Sequence, residues 1–231
     1  MMFVERENEV LKTVDVFLNE ELEFVVVGGY AVSALARHRF SVDLDIVIRR
    51  EDADFFESIL EERGYAQDVA KAGFDNVYGG EFLNYKKPVN DLLVTVDLLI
   101  GSIVCRATTA SWSFEYLNRY SVIATILGIE VSTRSKVPEK ELLTALKIHL
   151  GRRTDLRDVV LLIENTDIDR VIKHLKRGDL NSLKEQIEGM IKMLKDEKLV
   201  NSLKGVFSIP SGVDSQIKDA DKTLRKIMGE L

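Results

Sequence analysis

Over the first half of the chain, short apolar runs alternate with amphipathic stretches; past residue 133 the apolar positions recur every three or four residues. Runs 24–27, 44–48, 92–100 and 129–132 have the length and β-branching of strands, while residues 51–63 carry a helical repeat that stops at Gly64. In the second half, one set is Leu156, Val159, Val160 and Ile163. A second is Ile168, Val171, Ile172 and Leu175, and a third is Leu183, Ile187, Met190, Ile191 and Leu194. Each describes one buried helix face. Pro138 is expected to open the first of these helices, Ser182 with Glu185 forms a capping-box pattern, and the Ser/Pro/Gly cluster at 208–212 separates the last two. The pattern predicts an α/β domain over residues 1–133 followed by a helical domain over 134–231.

Within the first domain, residues 25–48 read as an apolar strand, a double glycine, a short helix over 30–37, and a second strand opened by two aspartates. Side chains alternate along a strand, so Asp43 and Asp45 share one face while Leu44 and Ile46 pack on the other. Two carboxylates so close repel each other unless a cation lies between them, and hard divalent ions take oxygen ligands. Gly28 and Gly29 add a turn with no Cβ in the way, where main-chain N–H groups at a helix N-terminus can receive a phosphate. A strand-glycine-helix turn alone is equally a packing device; its conjunction with the paired acids points to a metal-dependent nucleotide site. A dinucleotide-binding reading fails on spacing. That fingerprint needs G-x-G-x-x-G, whereas the glycines here are adjacent, Ser33 stands where a third might be sought, and the acids precede the second apolar run. The pattern G-x-x-x-x-G-K-[ST] is absent.

Asp97 interrupts the apolar run 92–100, and a carboxylate inside a central strand is costly without a partner. It is the candidate third acid of a two-metal phosphoryl-transfer site. With Gly28, Gly29, Asp43, Asp45 and Asp97 in view, the chain resembles the DNA polymerase β-type nucleotidyltransferase superfamily. The wording of Arg39, Phe40, Ser41, Val42, Asp43, Leu44 and Asp45 after the glycine pair is most similar to the AbiEii branch, nucleotidyltransferase-like toxins of type IV toxin-antitoxin systems. The specific motifs lie in the first 100 residues. The resemblance implies a mixed-sheet nucleotidyltransferase domain in which Gly28 and Gly29 hold a nucleoside triphosphate, Arg39 and Ser41 belong to the nucleotide motif, and the acids bind two Mg2+ ions. Many members of the superfamily have Gly-Ser where this chain has Gly28 and Gly29, so a serine contact to phosphate is not implied. AbiEii-like chains also carry a lysine on the helix after the catalytic domain, followed by basic residues and an acid pair. Lys147, Arg153, Asp155 and Asp158 fit. Lys147 is then expected to face the triphosphate, with Lys140 and Thr144 on the same side of its helix and Leu142, Leu143 and Leu146 on the buried one; surface ion pairing with Asp155 and Asp158 is the alternative.

At 231 residues and 45% hydrophobic content the chain has ample material for folded cores. Its net charge of -6 excludes a molecule-wide nucleic-acid clamp. A local exception runs from Arg134 to Arg153, with six Lys/Arg against two Glu. No apolar run is long enough for a bilayer and no signal-type segment opens the chain, which predicts a cytoplasmic protein without a membrane partner. The single cysteine, Cys105, excludes an intrachain disulfide and a thiolate metal cluster, and three scattered histidines give no zinc pattern. Cys105, Trp112, Met190 and Met193 read as core residues, and the segment 67–87 as a hairpin near the site.

The reading that follows is a magnesium-dependent nucleotidyltransferase. An acceptor hydroxyl, on RNA (tRNA in particular) or on a protein side chain, takes a nucleoside monophosphate from the triphosphate, in a toxin-antitoxin setting with an antitoxin partner. The alternative is a catalytically silent nucleotide-binding regulatory module.

Overall fold

The computed structural model describes residues 2–41, 43–68, 81–207 and 212–231. The chain divides into two compact units. The first holds Met1–Ala34, His38–Val104 and Trp112–Pro138; the second holds Leu35–Arg37, Cys105–Ser111 and Glu139–Leu231.

The first unit opens with an 18-residue helix, α1 (Met2–Asn19), followed by β1 (Phe24–Val26), α2 (Gly28–Leu35) and β2 (Asp43–Ile48). A 3-10 turn at Arg50–Asp52 leads into α3 (Ala53–Glu62), then β3 (Ala66–Gln67), β4 (Phe82–Val89) and β5 (Leu92–Ile100). These strands form a five-stranded mixed sheet in the order β1-β2-β5-β4-β3, in which β2 and β5 run parallel and the other pairs antiparallel. Both central strands are therefore reached from the same end of the sheet. Leu44, Ile46 and Ile48 of β2 and Val96, Leu98 and Ile100 of β5 are buried, as are Val10, Leu11, Val14 and Phe17 of α1. Phe17, Phe24 and Phe56 join α1, β1 and α3 in a set of edge-to-face rings with centroids 4.8 to 6.0 Å apart. Short strands β6 (Ser102–Val104) and β7 (Ser111–Ser113) and helix α4 (Phe114–Arg119) precede a hairpin of β8 (Ser121–Leu127) and β9 (Ser132–Pro138).

The second unit carries α5 (Lys140–Leu150), α6 (Arg153–Leu162), α7 (Ile168–Leu175), α8 (Leu180–Met193), α9 (Glu197–Phe207) and α10 (Val213–Glu230). The three predicted apolar sets lie in its core except Ile168, which like Met193 packs at its margin, and Met190 is buried among them. Segment 105–111 is anchored to this unit. Cys105 Sγ donates to the His149 carbonyl at 2.8 Å, and Thr108 bonds His149 Nδ1 at 2.7 Å.

The α/β class is borne out, and several local expectations are corrected. The N-terminal helix was not anticipated, although Val10, Leu11, Val14 and Phe17 already show its spacing. The strand expected at 129–132 is instead the turn of the β8–β9 hairpin and its first β9 residue. β9 is hard to see because its inward positions include Thr133 and Ser135, both buried and polar. Pro138 ends β9 instead of opening α5. The cap of α8 is Asp179, whose carboxylate accepts from the Ser182 amide at 2.9 Å, so Ser182 lies inside the helix. On α5 the expected polar face does not form, because Thr144 and Lys147 are buried along with Leu142, Leu143 and Leu146. Cys105 and Trp112 are core residues as expected. Of the hairpin expected over 67–87, the ends pair antiparallel through β3 and β4, and residues 69–80 lie outside the described residues. The cluster at 208–211 also lies outside them, between α9 and α10.

Candidate active site

The site is built on one face of the mixed sheet within the first unit. Asp43 and Asp45 are half-buried on β2, with buried Leu44 and Ile46 on the opposite face. Asp97 pairs with Asp45 across the parallel β2–β5 ladder, so the two side chains project from the same face. Asn84 on β4 lies opposite Asp97 and donates its amide to Asp97 Oδ1 at 2.5 Å. A row Asp45, Asp97, Asn84 thus crosses three strands, with Asp43 two residues up the same strand.

The glycine pair abuts this row. Gly28 starts α2 at φ +63°, a left-handed conformation that glycine adopts without a Cβ penalty. A Cβ there would sit 1.9 Å from Asp45 Oδ2. The carboxylate therefore rests against the turn itself. At Gly29 a Cβ would come within 2.5 Å of Ser41 Oγ and 3.0 Å of Arg39 Nη2. Arg39 and Ser41 consequently lie over the start of α2, where the first-turn amides have no intrahelical acceptor.

The loop bearing Arg39 and Ser41 is held from α2. Ser33 Oγ donates to the Arg39 carbonyl at 3.2 Å and approaches its amide at 3.3 Å, while the Tyr30 hydroxyl donates to the Ser41 carbonyl at 3.1 Å. Burial pushes the Tyr30 phenol far above its ordinary pKa, so it stays a donor. Tyr30, Ser33 and Asn84 were not foreseen as site residues. For Tyr30 and Ser33 a signal existed, since both fall on the short helix just after the glycines; Asn84 needs the strand register.

Lys147 lies in the helical unit. Its ammonium is 3.2 Å from Asp155 Oδ1 and 2.8 Å from Asp158 Oδ2, with all three side chains almost fully buried. Burial opposes ionisation of Asp155, but Lys147 and Arg152 outweigh it and hold its carboxyl below the usual range. The lysine expected as a mobile charge is thus engaged by two interior carboxylates, a buried cluster and not the surface pairing considered as its alternative. Arg153 pairs with Asp196.

The donor set fits a hard divalent cation. Asp43, Asp45 and Asp97 offer carboxylate oxygens on one sheet face. Among the described residues, no three His, Cys, Asp or Glu are gathered tightly enough to hold a metal by themselves.

A family model described as aminoglycoside-2''-adenylyltransferase matches residues 9–77, the segment that contains the glycine pair and both β2 aspartates. No curated protein matches the chain. Among solved structures, it is similar to an antigenic nucleotidyltransferase-like protein from Paracoccidioides brasiliensis, at 15% identity over 89% of this chain and 97% of that one, with a TM-score of 0.50. It is also similar to JHP933 from Helicobacter pylori, at 14% identity over 98% and 90% of the two chains and a TM-score of 0.47. ANT(2'')-Ia, solved in complex with adenylyl-2''-tobramycin, is 18% identical over 74% and 94% of the chains, with a TM-score of 0.48. The chain has the fold of a nucleotidyltransferase of the DNA polymerase β type. No helix among the described residues is long and apolar enough to cross a membrane.

Proposed function

We propose that the chain transfers a nucleoside monophosphate, in the first instance AMP, from a nucleoside triphosphate to a hydroxyl of a small polar acceptor. The observation that carries this reading is the in-register pair Asp45 and Asp97 on one sheet face, with the Asp45 carboxylate directly against the Gly28 turn.

The first-turn amides of α2 receive the triphosphate, aided by the helix dipole, and Arg39 and Ser41 contact the same phosphates from the loop above. The acceptor oxygen attacks the α-phosphorus, the bond from that phosphorus to the β-phosphate bridging oxygen breaks, and pyrophosphate leaves. Asp97 takes the proton of the acceptor hydroxyl, with Asn84 holding the carboxylate in its rotamer. Asp43, Asp45 and Asp97 would hold magnesium, two ions on the superfamily resemblance, and the metal would supply neutralisation of phosphate charge and a lowered pKa for the attacking hydroxyl.

The acceptor class is argued from two observations. The segment around the site matches the model of an aminoglycoside adenylyltransferase family. The basic stretch that favoured RNA is largely consumed within the fold. Lys136 bonds Glu23 and Asn118, Lys140 the Glu164 carbonyl, Lys147 the two aspartates, Arg152 Asp155, and Arg153 Asp196. The AbiEii-like wording of residues 39–45 keeps RNA or protein acceptors, and an antitoxin partner, as outcomes of the test. Purified chain is incubated with each triphosphate, magnesium and a panel of aminoglycoside, lincosamide, tRNA and protein acceptors, with pyrophosphate release and product mass recorded. A nucleotide adduct on a small molecule supports the proposal; an adduct confined to RNA or protein moves it to the AbiEii reading. Magnesium-dependent triphosphate binding with no pyrophosphate released from any acceptor would favour a silent module.

A further inference from the structure

Glu7 stands one turn inside α1 and is 1% exposed, a position where an ionised carboxylate is costly unless its oxygens are bonded. Both are. Oε1 is 2.8 Å from His38 Nε2, and Oε2 accepts the Ile129 amide at 2.7 Å. The first contact holds the loop that carries Arg39 and Ser41, and the second holds the turn between β8 and β9. Gly128 fits the same carboxylate closely, since a Cβ there would lie 2.9 Å from Oε2. One buried acid on the N-terminal helix thus ties two loops that are far apart in sequence.

From α2, Ser33 holds the nucleotide loop at Arg39 and Tyr30 holds it at Ser41. Glu7 supplies its anchor from a different helix. Phe40, between the two functional side chains, turns away to meet Phe3 of α1 at 6.2 Å between ring centroids and His38 at 5.7 Å. The loop is therefore stretched between α2 on one side and α1 on the other. Held so, Arg39 and Ser41 keep their places over Gly29 without paying loop entropy when an anionic ligand arrives.

We propose that Glu7, acting through His38, is a positioning residue for the triphosphate site: it presets Arg39 and Ser41 above the α2 N-terminus. The assignment rests on the nucleotidyltransfer reading given above. Glu7 touches no reacting atom. Its contribution falls on binding of the phosphates and leaves recognition of the nucleoside alone. The pair is also separable, because His38 is partly exposed and can be replaced without opening the core.

The test uses the full chain as wild type, Glu7→Gln, His38→Gln and the double variant. Hydrogen exchange at residues 38–41 and magnesium-ATP binding, with adenosine as a phosphate-free comparison, are measured on each. Either single change should speed exchange in the loop while leaving β2 and β5 protected, and should weaken ATP binding about ten-fold, the loss of one charge-assisted hydrogen bond. Adenosine binding should not change, and the double variant should lose little more than either single one, because both changes remove the same contact. Unchanged loop exchange and ATP affinity in His38→Gln would overturn the proposal, as would equal losses for ATP and adenosine. A wild-type chain that binds no triphosphate would sink the nucleotidyltransfer reading, and with it the role of Glu7 in phosphate binding, while loop exchange would still report whether the contact orders residues 38–41.

Discussion

Asp45 and Asp97 are lateral partners on adjacent parallel strands, and the Asp45 carboxylate lies where a side chain on Gly28 would have to go. The two facts are coupled. Moving the carboxylate disturbs the turn, and filling the turn displaces the carboxylate.

Asp45→Asn and Asp97→Asn should each leave the fold intact and reduce nucleotidyl transfer by at least about a hundred-fold, the scale of losing a proton acceptor or a charge stabiliser at the reacting centre. They should differ in binding. Asp45→Asn removes a charge at the phosphate turn and should weaken magnesium-dependent triphosphate binding, whereas Asp97→Asn should retain most of it. Calorimetric titration of ATP with and without magnesium checks this; parent-like magnesium-ATP binding and turnover in both would put the site elsewhere.

Gly28→Ala should be inactive and less stable. The methyl group meets Asp45 Oδ2 at 1.9 Å in a backbone conformation with φ +63°, so strain and a displaced carboxylate add. About 1 to 3 kcal/mol of destabilisation is expected from the backbone conformation and the overlap. Urea unfolding measures the loss. A variant as stable and active as the parent would show that the turn has slack that its geometry denies.

How much of this was legible before the fold was known depends on sequence distance. Gly28, Gly29, Asp43 and Asp45 fall within 18 residues, so strand alternation and turn chemistry suffice to predict a shared face for the acids and an open turn beside them. Asp97 showed itself as a charge in an apolar run, but its alignment with Asp45 and not Asp43 is set by the β2–β5 register, which no local pattern contains. Asn84 was hidden for the same reason. The basic stretch misled because local charge counting ignores distant partners: Glu23, Glu164 and Asp196 lie outside it in sequence. Helix α5 misled because its polar positions are satisfied internally, which removes the outward face that amphipathicity normally demands.

Stability should fall in acid in a window set by His149. Burial pushes its imidazole down from 6.5 to about 4, although the bond to the Leu175 carbonyl opposes the shift. Thr108 occupies the other ring nitrogen at 2.7 Å. Between those two values the unfolded chain binds a proton that the folded chain refuses. The contribution is complete above about pH 6.5 and is lost as the pH falls toward 4, by up to about 3 kcal/mol. His174, held below its ordinary value mainly by burial while Glu139 opposes the shift, adds in the same direction. Urea unfolding from pH 4 to 8 should show the decline, and His149→Gln should flatten it; an unchanged slope in that variant would remove His149 as its source.

Lys147→Ala separates a structural lysine from a phosphate clamp. Truncation leaves Asp155 and Asp158 buried with the ammonium gone. Arg152 still bonds Asp155, but the Lys147 contact to Asp158 at 2.8 Å is lost. Removing one member of a buried charge cluster typically costs about 3 to 5 kcal/mol, because the remaining charges stay desolvated. The variant should therefore melt well below the parent, and a further Asp158→Asn change should recover part of the loss by removing the carboxylate left behind. A clamp predicts a different signature: little change in melting temperature and weaker binding of triphosphate than of monophosphate. Thermal unfolding of the single and double variants, paired with ATP and AMP titration, distinguishes the two. The ion-pair geometry predicts the first pattern, and the second would require Lys147 to leave both aspartates when nucleotide binds.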